Sequence, residues 1–475
     1  MRTRFTLTRF TWMMALLALV AIAAVMACST KYSSSSNGLV VVPSQAGGAS
    51  GTGTLEGPVM ETFSVNLSNG SISQINNVNG PPVTGLPSSV IIDPAGAYAY
   101  VATTVNCTPT LQANTSLTAA VQAAILAFPI ASDGKLASSN NPVYLAGNPA
   151  YPGTFPTCGL DDSTNPNAGN PIAAMAMDST GKFLFVATAP TGATYTINTN
   201  TASPTSTTAN LTSVGIVVYA IGASGSLTPV SGSPFALPPQ EAGQSPSPSA
   251  LAVTPTVYPS QYSVCTNVAP PTTEYLYVAD AIDNVLVNYA VSSTGSLSLV
   301  LTGTNPIPTG AIPSGVAVDP CNRFVYVANA GPGLHADSVS AFTICSVVTE
   351  NCPLADFSLQ PVPASPYSVS PGDFPGPIAV DPYGKFLYVV NTGSNTISGF
   401  KMSSATGALT ALSPSSTSTG QGPNSIAIRS DDSFLFVANF TSATVSQYSI
   451  TPASGTLTPI PAFSTLDNPS GVAVK

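Results

Sequence analysis

The sequence predicts an all-β fold, a seven-bladed β-propeller of four-stranded antiparallel blades, and three observations carry that prediction. A short phrase returns seven times, most plainly as Pro313-Ser-Gly-Val-Ala-Val-Asp-Pro, Pro375-Gly-Pro-Ile-Ala-Val-Asp-Pro, Pro423-Asn-Ser-Ile-Ala-Ile and Pro469-Ser-Gly-Val-Ala-Val. A turn and a second apolar run follow it, as in Arg323-Phe-Val-Tyr-Val-Ala-Asn329, Lys385-Phe-Leu-Tyr-Val-Val-Asn391 and Ser433-Phe-Leu-Phe-Val-Ala-Asn439. A strand-only repeat of about 45 residues has room for four short strands and their turns, the unit of a radial propeller. Thirdly, the last copy stops at Lys475, one strand into its blade. One C-terminal strand and three N-terminal strands then close the ring, which removes exposed strand edges.

The elements follow in chain order. Arg2, Arg4 and Arg9 precede an apolar stretch from Trp12 to Ala27, the layout of an export signal over residues 1–27. The stretch is shorter than the roughly 20 apolar residues that span a bilayer. Val25-Met26-Ala27-Cys28 resembles the bacterial lipobox, which makes Cys28 the expected lipidation site. Residues 28–38 are serine-rich and read as a flexible tether, with the propeller over residues 39–475. Leu39-Val-Val-Val, Met60 to Leu67 and Gly70 to Ile75 supply the second, third and fourth strands of the closing blade. Six complete blades then run over roughly 87–170, 171–247, 248–312, 313–374, 375–422 and 423–468. In the fifth, Asp381-Pro-Tyr-Gly makes the first turn and Ala405-Thr-Gly the third, residues suited to tight turns.

The first strands place Ala between apolar residues and are expected to line the central channel. Asp93, Asp178, Asp319 and Asp381 end such strands and are read as caps of the following turn rather than a cation-binding ring. Tyr326, Tyr388 and Phe436 alternate along second strands and are read as packing between blades.

In a propeller the second-to-third-strand loops and the inter-blade loops emerge on one face, and the remaining turns on the other. The extra length falls mostly on the first face: Thr104 to Gln122, Ala146 to Asn170, Ala189 to Ser213, Ala236 to Ser247, Ala330 to Ser338 and Pro361 to Phe374. Long loops on a repeat scaffold commonly carry function. Six cysteines remain after Cys28, and blade geometry pairs Cys107 with Cys158, Cys265 with Cys321, and Cys345 with Cys352. His335 is the only histidine and lies in Gly331-Pro-Gly-Leu-His-Ala-Asp337, where Asp337 could orient it as a general base. No phosphate-binding glycine loop, serine nucleophile elbow or zinc-type histidine pair is present, so neither cofactor nor metal is expected.

Charge narrows the partners. The formal net charge is −9, and it becomes −12 once the three signal arginines are removed. Such a surface repels phosphate backbones and excludes nucleic acid as a partner.

Phe324-Val-Tyr-Val-Ala-Asn, Phe386-Leu-Tyr-Val-Val-Asn and Tyr275-Leu-Tyr-Val-Ala-Asp resemble the Tyr-Val-Thr-Asn type of propeller repeat. The fuller unit, Asp-Pro-x-Gly-Lys-Phe-Leu-Tyr-Val followed by Gly-x-Leu-Thr, is similar to the lactonase-type seven-bladed family that includes 6-phosphogluconolactonase-like proteins. That resemblance implies a propeller with ligands met on the long-loop face, and an activity that draws on His, Arg and acidic groups there. Arg323 and Arg429 fall beside turns of the other face, which leaves His335 with Asp337 as the catalytic candidates.

The leading expectation is therefore an exported, lipid-anchored, monomeric binding or interaction scaffold of the bacterial cell envelope, on its periplasmic or extracellular side. Its partner would be an envelope protein or glycan, and only the lipid anchor would touch the membrane. The alternative is a sugar-lactone hydrolase using His335, Asp337 and water.

Overall fold

Seven four-stranded antiparallel sheets succeed one another around a ring in the computed structural model, as the repeats predict. It describes residues 37–44, 59–79, 87–107, 120–137, 143–144, 172–188, 195–198, 206–209, 215–238, 246–256, 265, 273–331, 337–346, 352, 356–369 and 373–475. The signal, Cys28 and most of the tether lie outside these residues. Blades are numbered 1 to 6 from Ser89–Ile92 onward, and blade 7 is the closing one. Blade 4 is typical: Pro313–Val318, Phe324–Asn329, Ser338–Ile344 and Leu359–Pro361 run from the channel outward.

Closure occurs by the predicted combination of strands. Ala473–Val474 is innermost in blade 7, followed by Asn37–Ser44, Val59–Asn66 and Ile72–Asn79. Leu39 and Lys475 exchange backbone N–H···O bonds of 2.9 Å in both directions. At the other end of these strands Ser470 N–H donates to the Pro43 carbonyl at 2.9 Å.

The core lies between blades, and period-two alternation explains why second strands are apolar at every position. Phe324–Asn329 is buried along its whole length. Phe324, Tyr326 and Ala328 pack against Leu387 and Val389 of blade 5, whereas Val325 and Val327 pack against Tyr275, Tyr277 and Ala279 of blade 3. A strand buried on both faces reads as a continuous apolar run. The tyrosine hydroxyls reach the next blade: Tyr326 donates to the Gly407 carbonyl (2.9 Å) and Tyr388 to the Gly455 carbonyl (2.7 Å). Those glycines have φ of +72° and +73°, and a Cβ there would sit 2.4 Å from Phe324 or Phe386. The Gly-x-Leu-Thr signature is thus a packing requirement.

The turn aspartates cap their own turns. Asp381 accepts N–H bonds from Tyr383, Lys385 and Phe386 (3.3, 2.6 and 2.7 Å), and Asp93 accepts two from Ala97 and Tyr98 (2.6 and 2.8 Å). Asp319 also holds Arg323 by two side-chain bonds of 2.8 Å. The inner strands differ from expectation in one respect, because polar side chains stitch them. Ser314 donates its hydroxyl to the Pro375 carbonyl of the next blade (2.6 Å), and Asn424 donates to that of Pro469 (3.2 Å). Each bond ties an inner strand to the carbonyl of the proline that opens the next one.

The expected insertion Pro361 to Phe374 is partly strand. Tyr367–Ser368 rejoins the third strand after a bulge, and the Ser365 hydroxyl accepts the Ala341 N–H at 2.8 Å in place of a ladder carbonyl. Ser233 and Asn305 play the same part toward Val218 and Asn288 in blades 2 and 3 (both 3.0 Å). Blade 5 needs no such bulge filler, since its outer strand Leu409–Ser418 is longer. A hairpin of Tyr195–Asn198 and Ser206–Ala209 occupies part of the expected insertion Ala189 to Ser213.

Two predicted disulfides are formed, Cys265–Cys321 and Cys345–Cys352. They close loops of 56 and 7 residues, for which chain entropy gives about 4 and about 2.5 kcal/mol. Cys107 ends the second strand of blade 1, and Cys158 lies outside the described residues, as does the Cys107–Cys158 pairing. Both bridges that are formed belong to the face opposite the long loops.

Candidate site at the channel mouth on the long-loop face

Each second strand from blade 4 to blade 6 ends on an asparagine, Asn329, Asn391 or Asn439, that is fully buried. Its amide N–H₂ bridges hydroxyls of the adjoining strand: Asn391 donates to Thr396 (2.9 Å) and Ser398 (2.8 Å), and Asn439 to Thr444 (3.1 Å) and Ser446 (2.9 Å). The residue after each asparagine donates its N–H across the channel rim. Ala330, Thr392 and Phe440 bond the carbonyls of Ile312, Phe374 and Gly422, at 3.0, 3.2 and 2.8 Å.

These three acceptors are equivalent residues, each immediately before the proline that opens an inner strand, and all have positive φ: +49°, +48° and +66°. Only Gly422 suits that conformation without cost. A β-branched Ile312 and a bulky Phe374 are true outliers there. Neither is compensated by burial, since Ile312 is 44% and Phe374 56% exposed. Ile282 (47%) and Leu466 (60%) are exposed on the same face. Strain persists where the surrounding structure over-determines it, and such positions concentrate at ligand sites.

His335 lies outside the described residues, but both flanks of its loop are fastened beside this rim. Gly331 N–H donates to the Ala311 carbonyl at 2.9 Å. Asp337 is buried, has a φ of +45°, and its carbonyl accepts the Val369 N–H at 2.8 Å. Asp373 anchors the next loop through its carbonyl and the Gly393 N–H, 2.8 Å apart.

The electrostatics of this face are one-signed among the described residues: Glu61, Asp280, Asp283, Asp337, Asp373 and Asp467 lie on it, and no lysine or arginine does. Glu61 is the closing element. It accepts the Ser44 hydroxyl (2.8 Å) and the Leu466 N–H (3.0 Å), tying an N-terminal strand to the last inter-blade loop. Burial raises its carboxyl above the usual range, and the bonds from Ser44 and Leu466 hold it partly down. Among the described residues no three His, Cys, Asp or Glu side chains gather as a metal site.

Sequence reasoning placed Asp337 and the His335 loop on this face and missed Glu61, Asp373, Ile312 and Phe374. An apolar residue before the strand-opening proline, where another blade has glycine, was the signal available for Ile312 and Phe374.

Residues 339–475 match the model of the family described as lactonase, 7-bladed beta-propeller. No curated protein matches the chain. Among solved structures, a candidate 6-phosphogluconolactonase of Bacteroides fragilis is similar at 18% identity, with a TM-score of 0.60 over 93% of this chain and 98% of that one. The periplasmic gluconolactonase of Pseudomonas aeruginosa is similar at 18% identity, with a TM-score of 0.58 over 92% and 99%. A Lactobacillus plantarum protein shares 15% identity and a TM-score of 0.59 over 92% and 99%. At these identities the structural likeness concerns the fold.

Proposed function

We propose, for a chain that is a seven-bladed propeller of the lactonase type, that it hydrolyses neutral lactones at the channel mouth of its long-loop face. The observation that carries the reading is the grouping of Ile312 and Phe374, both strained and exposed, with the fastened flanks of the His335 loop and buried Asp337. The apolar pair would hold a lactone ring. His335, oriented by Asp337, would take a proton from water as its oxygen bonds to the carbonyl carbon. The ring C–O bond then breaks, and the leaving oxygen takes up a proton to give the hydroxy acid. The acids of this face disfavour phosphorylated lactones, because like charge is repelled where no cation compensates.

The same proposal places the enzyme outside the cytoplasm, held by lipid on Cys28. Arg2, Arg4, Arg9 and the apolar stretch to Ala27 support export, and the two disulfides accord with an oxidising compartment. A second reading, an envelope scaffold that binds a protein or glycan, is favoured by the exposed apolar side chains Ile282, Ile312, Phe374 and Leu466.

Hydrolysis of a panel of neutral sugar and alkyl lactones, followed by acid release at constant pH, separates the two. Turnover that falls by about 10²-fold or more in His335→Ala is expected of a general base. Rates equal to the uncatalysed reaction across the panel would sink the enzyme and leave the scaffold, to be tested by capture of envelope partners.

A further inference from the structure

The two faces of the ring carry different charge, and the chain enters through one of them. Every described lysine and arginine (Lys135, Lys182, Arg323, Lys385, Lys401, Arg429 and Lys475) lies at a first-to-second or third-to-fourth strand end, on the turn face. These, with Lys31 and the three signal arginines, are all the cations of the sequence. Among the acids of the turn face, Asp178, Glu274, Asp319, Asp381 and Asp432 are buried, Asp93 and Asp356 are partly exposed, and Asp133 and Asp431 are exposed. Lys135 pairs with Asp133 and Arg429 with Asp431. Lys182, Lys385 and Lys401 are exposed and enter no ion pair among the described residues. Lys385 and Lys401 share a concavity with Arg323 and Tyr383, where the Lys385 ammonium stands 5.0 Å above the Tyr383 ring.

Asn37, the first described residue, opens the second strand of blade 7 at this same face. The chain enters beside Arg429: a Cβ on Gly38 would lie 2.9 Å from Arg429 Nε. From Cys28 to Asn37 the intervening residues can span at most about 30 Å even when fully extended. An anchor at Cys28 therefore keeps the turn face, and not the long-loop face, nearest the bilayer.

We propose that the turn face docks on anionic phospholipid headgroups, so that the anchored propeller stands with its acidic long-loop mouth turned away from the membrane. The inference rests on the anchored reading of Cys28. The entry point of the tether and the exposed Lys182, Lys385 and Lys401 select this orientation, since these lysines can meet an anionic leaflet whereas the long-loop face offers it only Asp and Glu among the described residues.

The test uses the full mature chain recovered from membranes and reconstituted into vesicles, with a fluorophore on Ala405→Cys of the turn face or Ile282→Cys of the long-loop face. A quencher on the lipid headgroup reports proximity. Vesicles containing phosphatidylglycerol should quench the Ala405 label about twofold more than neutral vesicles do, with the Ile282 label unchanged. High salt, or the triple change Lys182→Gln, Lys385→Gln and Lys401→Gln, should abolish the difference. Equal quenching of the two labels in anionic vesicles overturns the orientation while leaving the anchor intact. A mature N-terminus without acyl-modified Cys28, read by mass spectrometry, removes the anchor and the orientation with it.

Discussion

The turn face and the long-loop face are built by the same seven blades, yet they dispose of their polar groups in opposite ways. On the turn face the same device recurs: a carboxylate caps the turn, the residue at positive φ is Gly96, Gly181, Gly384 or Asn322, and tyrosines close onto glycine carbonyls. On the long-loop face, equivalent positions diverge. Where blade 6 opens after Gly422, blades 4 and 5 open after Ile312 and Phe374. The difference teaches where selection for the ring ends and room for chemistry begins, because the ring constrains turns far more than it constrains the mouth.

The comparison breaks first if a turn-face carboxylate proves dispensable. Asp319 is completely buried and holds two turn N–H groups together with both arms of Arg323. Asp319→Ala should cost about 3–4 kcal/mol, because it strands buried donors and a largely buried guanidinium. Denaturant unfolding reads the loss. A cost under 1 kcal/mol would show that the turn caps are incidental.

A smaller effect sharpens the same point through pH. Asp432 takes the positive-φ turn position of blade 6, buried, with neither carboxyl oxygen hydrogen-bonded. Burial, and then the charge of Asp381, push its carboxyl up to about 7; Asp431 adds to the rise and Lys385 opposes it, while Tyr388 is the remaining titratable neighbour. A carboxyl raised in the fold stabilises it below the unfolded-state range and loses that contribution as pH climbs through about 7. The melting temperature should therefore fall between pH 5 and pH 8.5. Asp432→Asn, which copies Asn322 at nearly the same φ (+54° against +60°), should flatten the fall and raise the pH 8.5 value by about 2–4 °C. Unchanged pH dependence in the variant would exclude Asp432 as its source.

How much of this was legible in the sequence follows the same division. Blade boundaries, closure and the pairs Cys265–Cys321 and Cys345–Cys352 could be read because strand alternation, turn glycines and the truncated last phrase repeat, and repetition averages out local ambiguity. The Asp381 cap was legible from Asp-Pro-x-Gly alone. The mouth was not. Positive φ at Ile312 and Phe374 is imposed by the rim bonds from Ala330 and Thr392, which no local pattern encodes. Glu61 reads as an ordinary strand residue until the last inter-blade loop, more than four hundred residues later, brings Leu466 to its carboxylate. Split outer strands read as loops in the sequence because their bulges are filled by side chains such as Ser365.

The smallest expected effect bears most directly on function. If Ile312 and Phe374 are kept at positive φ for a ligand, glycine at either place should relieve backbone strain and raise stability. The gain is about 1 kcal/mol, the αL penalty of a non-glycine residue less the entropy that glycine adds to the unfolded chain. Since both side chains are about half exposed, little packing is lost against that gain. Ile312→Gly and Phe374→Gly should therefore unfold at slightly higher denaturant than the parent, yet bind or turn over lactones several-fold less well, a stability–function trade-off of known kind. The double variant tells strain from packing: additive stabilisation indicates two independent strained sites, whereas destabilisation in either single variant would mean that the side chains hold the rim together and serve the fold after all.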